Sequence, residues 1–120
     1  MEKHFFSVNT WVMRFNYAFQ GITIFFRTEH NARVHLLSTI AVIILSVIKG
    51  VTKTETIALM FAVGFVWVSE LFNTAIEQLA DMISVKFDAR IKTIKDVAAG
   101  AVLLSAIVAL ITGMLIFIPK

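Results

Sequence analysis

Residues 97–118 form a run of 22 without a single charge. A helix crosses the roughly 30 Å hydrocarbon layer of a bilayer with about 20 apolar residues. This run is therefore expected to span a membrane. Two further segments share the character. Residues 34–48 are interrupted only by His35, Ser38, Thr39 and Ser46. Residues 57–83 are apolar as far as Ser69 and then carry charges with helical spacing. Three such helices in 120 residues leave no soluble core large enough to hide them.

The charge content agrees. Charged residues make up 16% of the chain, against about 25% in soluble domains. The length fits one domain, residues 1–120. There is no cysteine, so disulfides and thiolate metal sites are excluded. The net charge of +3 is mild, and its basic residues are scattered beside apolar runs. That is no nucleic-acid footprint.

Residues 9–27 read differently. Asn9, Asn16, Gln20, Thr23 and Arg27 fall on one stripe at about 100° per residue. Phe15, Phe19, Ile22, Phe25 and Phe26 cover the remainder, with Trp11 and Tyr17 as amphipathic rings. This predicts an amphipathic helix lying in the membrane interface. The fold expected is all-α: this interfacial helix plus membrane helices at 34–48, 57–83 and 97–118. Thr54 is the expected cap of the second membrane helix, with Glu55 in its first turn. Residues 84–93 are the expected second connection. Eight basic residues lie on the side of the N-terminus and the 84–95 segment, and three on the other. The excess places the N-terminus in the cytoplasm.

The chemistry concentrates in Glu70, Asn73, Glu77 and Asp81. Relative to Glu70, the other three lie at about −60°, −20° and +20° around a helix. They share one face, and lipid is a costly environment for it. A solvated helix end accounts for Glu77 and Asp81. It does not account for Glu70, which follows the apolar run Phe65-Val66-Trp67-Val68-Ser69. Topology brings Glu29, before the first span, and Lys95 and Asp96, at the start of the third, to the same side. Converging carboxylates call for a cation between them. Hard oxygen ligands suggest Mg²⁺, and Lys95 suits a phosphate. These are the parts of a phosphoryl-transfer site. Ala101, Ser105, Ala109 and Gly113 recur every fourth residue, a spacing that lets helices approach closely in lipid.

The run from Glu70 to Asp81 resembles the ExxNTAIExxxD signature of the prokaryotic diacylglycerol kinase family, which includes the undecaprenol kinases. Lys95-Asp96-Val97-Ala98-Ala99-Gly100 is similar to its second signature, and Thr28 to His35 to the segment before its first span. The resemblance covers residues 14–119. It implies a homotrimer in the bacterial inner membrane, with sites at the cytoplasmic face shared between subunits. It implies Glu70 as general base toward the lipid hydroxyl, and Asn73 orienting that hydroxyl or the γ-phosphate, with Ser69 beside them. It further implies Glu29 and Glu77 as Mg²⁺ ligands and Lys95 on ATP phosphates. Asp81, Asp96 and Tyr17 would line the nucleotide site, with Arg33 a further contact. His35 stands where the diacylglycerol branch tends to carry an acid, which tilts the expected substrate toward undecaprenol. His35 itself reads as a packing or interfacial residue.

Diacylglycerol is the alternative substrate. A transporter or proton-relay subunit built on Glu70 and Glu77 is a different class of reading, but it gives Lys95 and Asn73 no task. A purely structural membrane subunit gives no task to Glu70.

Overall fold

A computed structural model describes residues 8–118. Among these, the chain is four α-helices: α1 Val8–Thr28, α2 His30–Lys49, α3 Lys53–Ile83 and α4 Ala89–Phe117. The last three are long and apolar enough to cross a membrane. Few side chains are buried. Phe25, Ala32, Leu59, Ala62, Val66, Ala80 and Ala98 make up the apolar core, while aliphatic and aromatic residues along every helix stay exposed. The accessible surface of 9553 Å² exceeds the roughly 6,500 Å² of a soluble monomer of this mass. The excess is apolar area that only lipid or neighbouring subunits can cover.

The helix ends follow local chemistry. Glu29 alone separates α1 from α2, and its extended backbone (φ −100°, ψ 118°) redirects the chain from one axis to the next. Gly50 closes α2 in the left-handed region at φ 66°. Its N–H and that of Val51 both return to the Ser46 carbonyl. A side chain at Gly50 would be strained there.

The cap of α3 is Thr52, not the expected Thr54. Thr52 Oγ1 accepts from the Glu55 N–H at 3.2 Å, and Glu55 Oε1 accepts from the Thr52 N–H at 2.9 Å. This reciprocal box needs a spacing of three between hydroxyl and acid, which Thr52 meets and Thr54 does not. The final helix also starts earlier than residue 97. Asp88 caps it by accepting from the Arg90 N–H at 2.8 Å, so the connection shrinks to residues 84–88. The Arg90 guanidinium and N–H hold the Asp88 carboxyl below its usual range.

α3 and α4 form the principal interface. They run antiparallel in a register pinned at two heights. Ser69 shares a 2.7 Å hydrogen bond with Ser105, and Asp81 accepts from Lys95 at 2.6 Å further along. The small-residue stripe on α4 is only partly a packing seam within the chain. Ser105 and Ala98 are buried, Ala101 is exposed, and Ala109 and Gly113 line a groove facing α2.

α2 stands further off. Grooves of about 580 and 500 Å³ separate it from α3 and α4, lined chiefly by aliphatic residues. Thr39 and His35 hold it to α3 by polar contacts. α1 is tied in by its C-terminal end, where Phe25 and Phe26 pack on Trp67 with ring centroids 6.3 and 5.4 Å away. The rest of its apolar face, from Trp11 through Phe15 to Phe19, is exposed, as an interfacial helix requires.

Thr52→Ala removes one half of the capping box. It is expected to cost about 1 kcal/mol at that helix end. The check is hydrogen exchange, with faster exchange at the Glu55 and Thr56 amides and no change in the body of α3.

Candidate functional site

At about 1.5 Å per residue, α3 is roughly 46 Å long, well beyond the ~30 Å of hydrocarbon. If its N-terminal turn sits at one membrane surface, Glu70 falls near the other and Asp81 about 16 Å further out. The exposure gradient agrees. Glu70 is 5% exposed, Asn73 and Glu77 are half-buried, and Asp81 is exposed. The shared face expected for these four residues is thus turned toward protein at its Glu70 end and opens to the surroundings at its Asp81 end.

Glu70 has one hydrogen-bond partner among the described residues. His35 Nε2 lies 2.7 Å from its Oε1. An isolated buried carboxylate would be strongly destabilising, so this contact is what allows α3 to bury it. His35 is itself fixed. Its ring meets Trp67 edge-on at 6.1 Å. Trp67 Nε1 donates to Thr39 Oγ1 at 2.9 Å, and Thr39 Oγ1 donates to the His35 carbonyl at 2.8 Å. Phe25 and Phe26 back the indole. Three helices therefore converge on one carboxylate. His35 is the site residue that sequence reasoning assigned to packing. Its pairing with Glu70 is a contact between separate helices, which periodicity along either one does not reveal. The available signal was an ionisable residue placed early in an apolar span.

Asn73, one turn on, has its side-chain oxygen Oδ1 buried and without a hydrogen-bond partner. Buried polar atoms are nearly always paired, so this one marks a place for a donor from outside the described chain. Ser69 is already engaged with Ser105. At the outer end, Lys95 pairs with Asp81, while Asp96 is taken up by Lys92 at 2.6 Å. Glu77 attracts Lys95 at longer range. Glu29 and Glu77 make no side-chain hydrogen bond or ion pair with the described residues. Tyr17 and Arg33 are exposed on α1 and α2. The described residues of one chain contain no group of three His, Asp or Glu side chains close enough to enclose a metal.

Fold and site together define a small multi-span membrane protein whose polar groups gather at one end of a helical bundle. A family model described as prokaryotic diacylglycerol kinase matches residues 16–117. The chain is 36% identical to an undecaprenol kinase from Bacillus subtilis, over 99% of this chain and 97% of that protein. It is 34% identical to a diacylglycerol kinase from Synechocystis, over 90% of this chain and 62% of that longer protein. The chain belongs to the prokaryotic diacylglycerol kinase family. It is accordingly a lipid kinase and a bacterial multi-pass membrane protein, and a kinase requires a phosphoryl donor such as ATP. Nothing in these likenesses supports the transporter reading.

The Lys95–Asp81 pair is solvent-accessible, with side chains 36% and 58% exposed. Such pairs contribute little to stability. Lys95→Met is therefore expected to leave the thermal unfolding midpoint in detergent nearly unchanged. A large drop would mean that the pair holds α3 to α4 and is not available for other work.

Proposed function

We propose that the protein transfers the γ-phosphoryl group of ATP to the hydroxyl of undecaprenol at the cytoplasmic face of the membrane, with Glu70 as general base. The observation that carries the reading is the buried Glu70 carboxylate beside the unpartnered Asn73 Oδ1. A carboxylate that accepts the hydroxyl proton, beside a side-chain amide that can donate to the hydroxyl oxygen, is what a lipid alcohol needs. Both sit where α3 leaves the hydrocarbon, the depth at which a membrane lipid presents its head.

In the reaction the lipid hydroxyl oxygen bonds to the γ-phosphorus. The bond to the oxygen bridging β- and γ-phosphates breaks, and ADP leaves with that electron pair. The hydroxyl proton passes to Glu70. Before transfer the hydroxyl donates its single hydrogen to Glu70, and the Asn73 amide, which carries two N–H donors besides Oδ1, donates to the hydroxyl oxygen and aims it. General-base catalysis of this kind contributes about 10²–10⁴-fold.

Lys95 Nζ has three donors, of which Asp81 uses one, so it can also hold phosphate oxygens. Asp81, Asp96 and Tyr17 border the nucleotide. Glu29 and Glu77 are the carboxylates left uncommitted, and they are the residues that would hold Mg²⁺. One or two carboxylates with the remaining positions filled by phosphates and water is the usual way of holding this ion, which fits a chain without an enclosed three-carboxylate cage. When bound, the ion neutralises charge developing on the phosphates. The homotrimer that the family resemblance implies would cover part of the exposed apolar helix faces.

Undecaprenol is favoured over diacylglycerol because the likeness to the undecaprenol kinase spans both chains end to end. The test is a lipid panel with purified protein, Mg²⁺ and radiolabelled ATP. Undecaprenol is expected to be phosphorylated faster than diacylglycerol, and Glu70→Gln to lower turnover about 10²–10⁴-fold with the oligomer intact. Preference for diacylglycerol would reverse the substrate assignment. Full turnover in Glu70→Gln would remove the base. Lys95→Met is expected to raise KM for ATP several-fold, and an unchanged KM would take Lys95 out of the nucleotide site.

A further inference from the structure

We infer that His35 is a positioning residue for Glu70. In this arrangement His35 Nε2–H donates to Glu70 Oε1 and aims the other carboxylate oxygen at the lipid hydroxyl. The inference rests on Glu70 being the general base.

Geometry and chemistry carry it. The 2.7 Å contact is short, and it joins a 23%-exposed imidazole to a 7%-exposed carboxylate side chain. An ionised carboxylate is acceptor-only, so the nitrogen facing it must bear the hydrogen. No other described residue donates to Glu70. A carboxylate with one donor is held at two points, that donor and its own side chain. The donor's own fixation therefore helps decide where the second oxygen points.

His35 is fixed unusually well for a residue near the start of a loosely packed helix. Trp67 packs edge-on against the imidazole, and through Thr39 it holds the backbone carbonyl of His35. Trp67 lies on the same helix as Glu70, almost one turn earlier. The imidazole is thus clamped against the helix that carries its target. Phe25 and Phe26 extend the clamp to α1. Wide grooves flank α2, and His35, Thr39 and Trp67 stand on their walls. The polar contacts between α2 and α3 are confined to this turn and the next.

A purely structural role would satisfy the buried carboxylate without affecting turnover of folded protein. A positioning role ties kcat to the donor itself. The experiment compares wild type, His35→Leu, His35→Gln and Glu70→Gln in nanodiscs with Mg²⁺, ATP and whichever of undecaprenol or diacylglycerol the wild type phosphorylates. Leucine keeps bulk and removes the donor; glutamine retains an N–H donor. His35→Leu is expected to lower kcat about 30–100-fold, the scale of misplacing a reacting group by an ångström, with both KM values within about twofold. His35→Gln is expected to recover most of that loss. Equal kcat in the leucine and glutamine variants overturns the inference. So does a loss confined to thermal stability. Full activity in Glu70→Gln instead overturns the base on which the inference rests, so the two failures are distinguishable.

A second readout needs no turnover. In histidine-labelled protein, nitrogen NMR is expected to show His35 Nε2 protonated in the wild type, and its resonance to move in Glu70→Ala. An unmoved resonance means that the two side chains do not pair.

Discussion

Burying a carboxylate in an apolar helix is costly, and the structure turns on how Glu70 is accommodated. A single imidazole meets it, and that imidazole packs edge-on against the Trp67 indole, which donates to Thr39 and is backed by two phenylalanine rings of α1. Remove the donor and α3 has no reason to keep the carboxylate inside. Keep it, and α1, α2 and α3 acquire a common point of contact in a chain that otherwise buries little. The cluster is at once the point where α1, α2 and α3 meet and the place where the chemistry is proposed.

Helix length converts this meeting point into a location. α3 and α4 both outrun the hydrocarbon by several turns, and their paired register holds Ser69 to Ser105 and Asp81 to Lys95. Lipid-compatible groups therefore give way to charged ones in step on both helices. Glu70 and Asn73 lie at the changeover. In the proposed reaction a lipid head approaches them from one side and a nucleotide from the other, without ATP entering hydrocarbon. The proposed division of labour between a buried base on α3 and an exposed cation on α4, Lys95, follows from the paired register of the two helices.

Much of this was legible in the residues. The uncharged run beginning at Val97, the polar stripe on α1 and the shared face of Glu70, Asn73, Glu77 and Asp81 are periodic features, and helical periodicity survives into three dimensions. Ends and pairings were less legible. Thr52 and Thr54 are chemically alike, and only the spacing to Glu55 separates them. The start of α4 at Ala89 was hidden because Arg90, Lys92 and Lys95 look like a loop, although Asp88 caps a helix there. His35 was read as a packing or interfacial residue because its partner lies 35 residues away. Position in an apolar segment shows that such a residue is costly, but not which group compensates it.

The account stands on Glu70 receiving the proton of the lipid hydroxyl. Chemical rescue tests this most directly. Glu70→Ala is predicted to retain its assembly and its ATP affinity while losing turnover, and added formate is predicted to restore part of it by supplying a carboxylate to the vacated space. Turnover in Glu70→Ala at the wild-type rate without any added carboxylate would contradict the account.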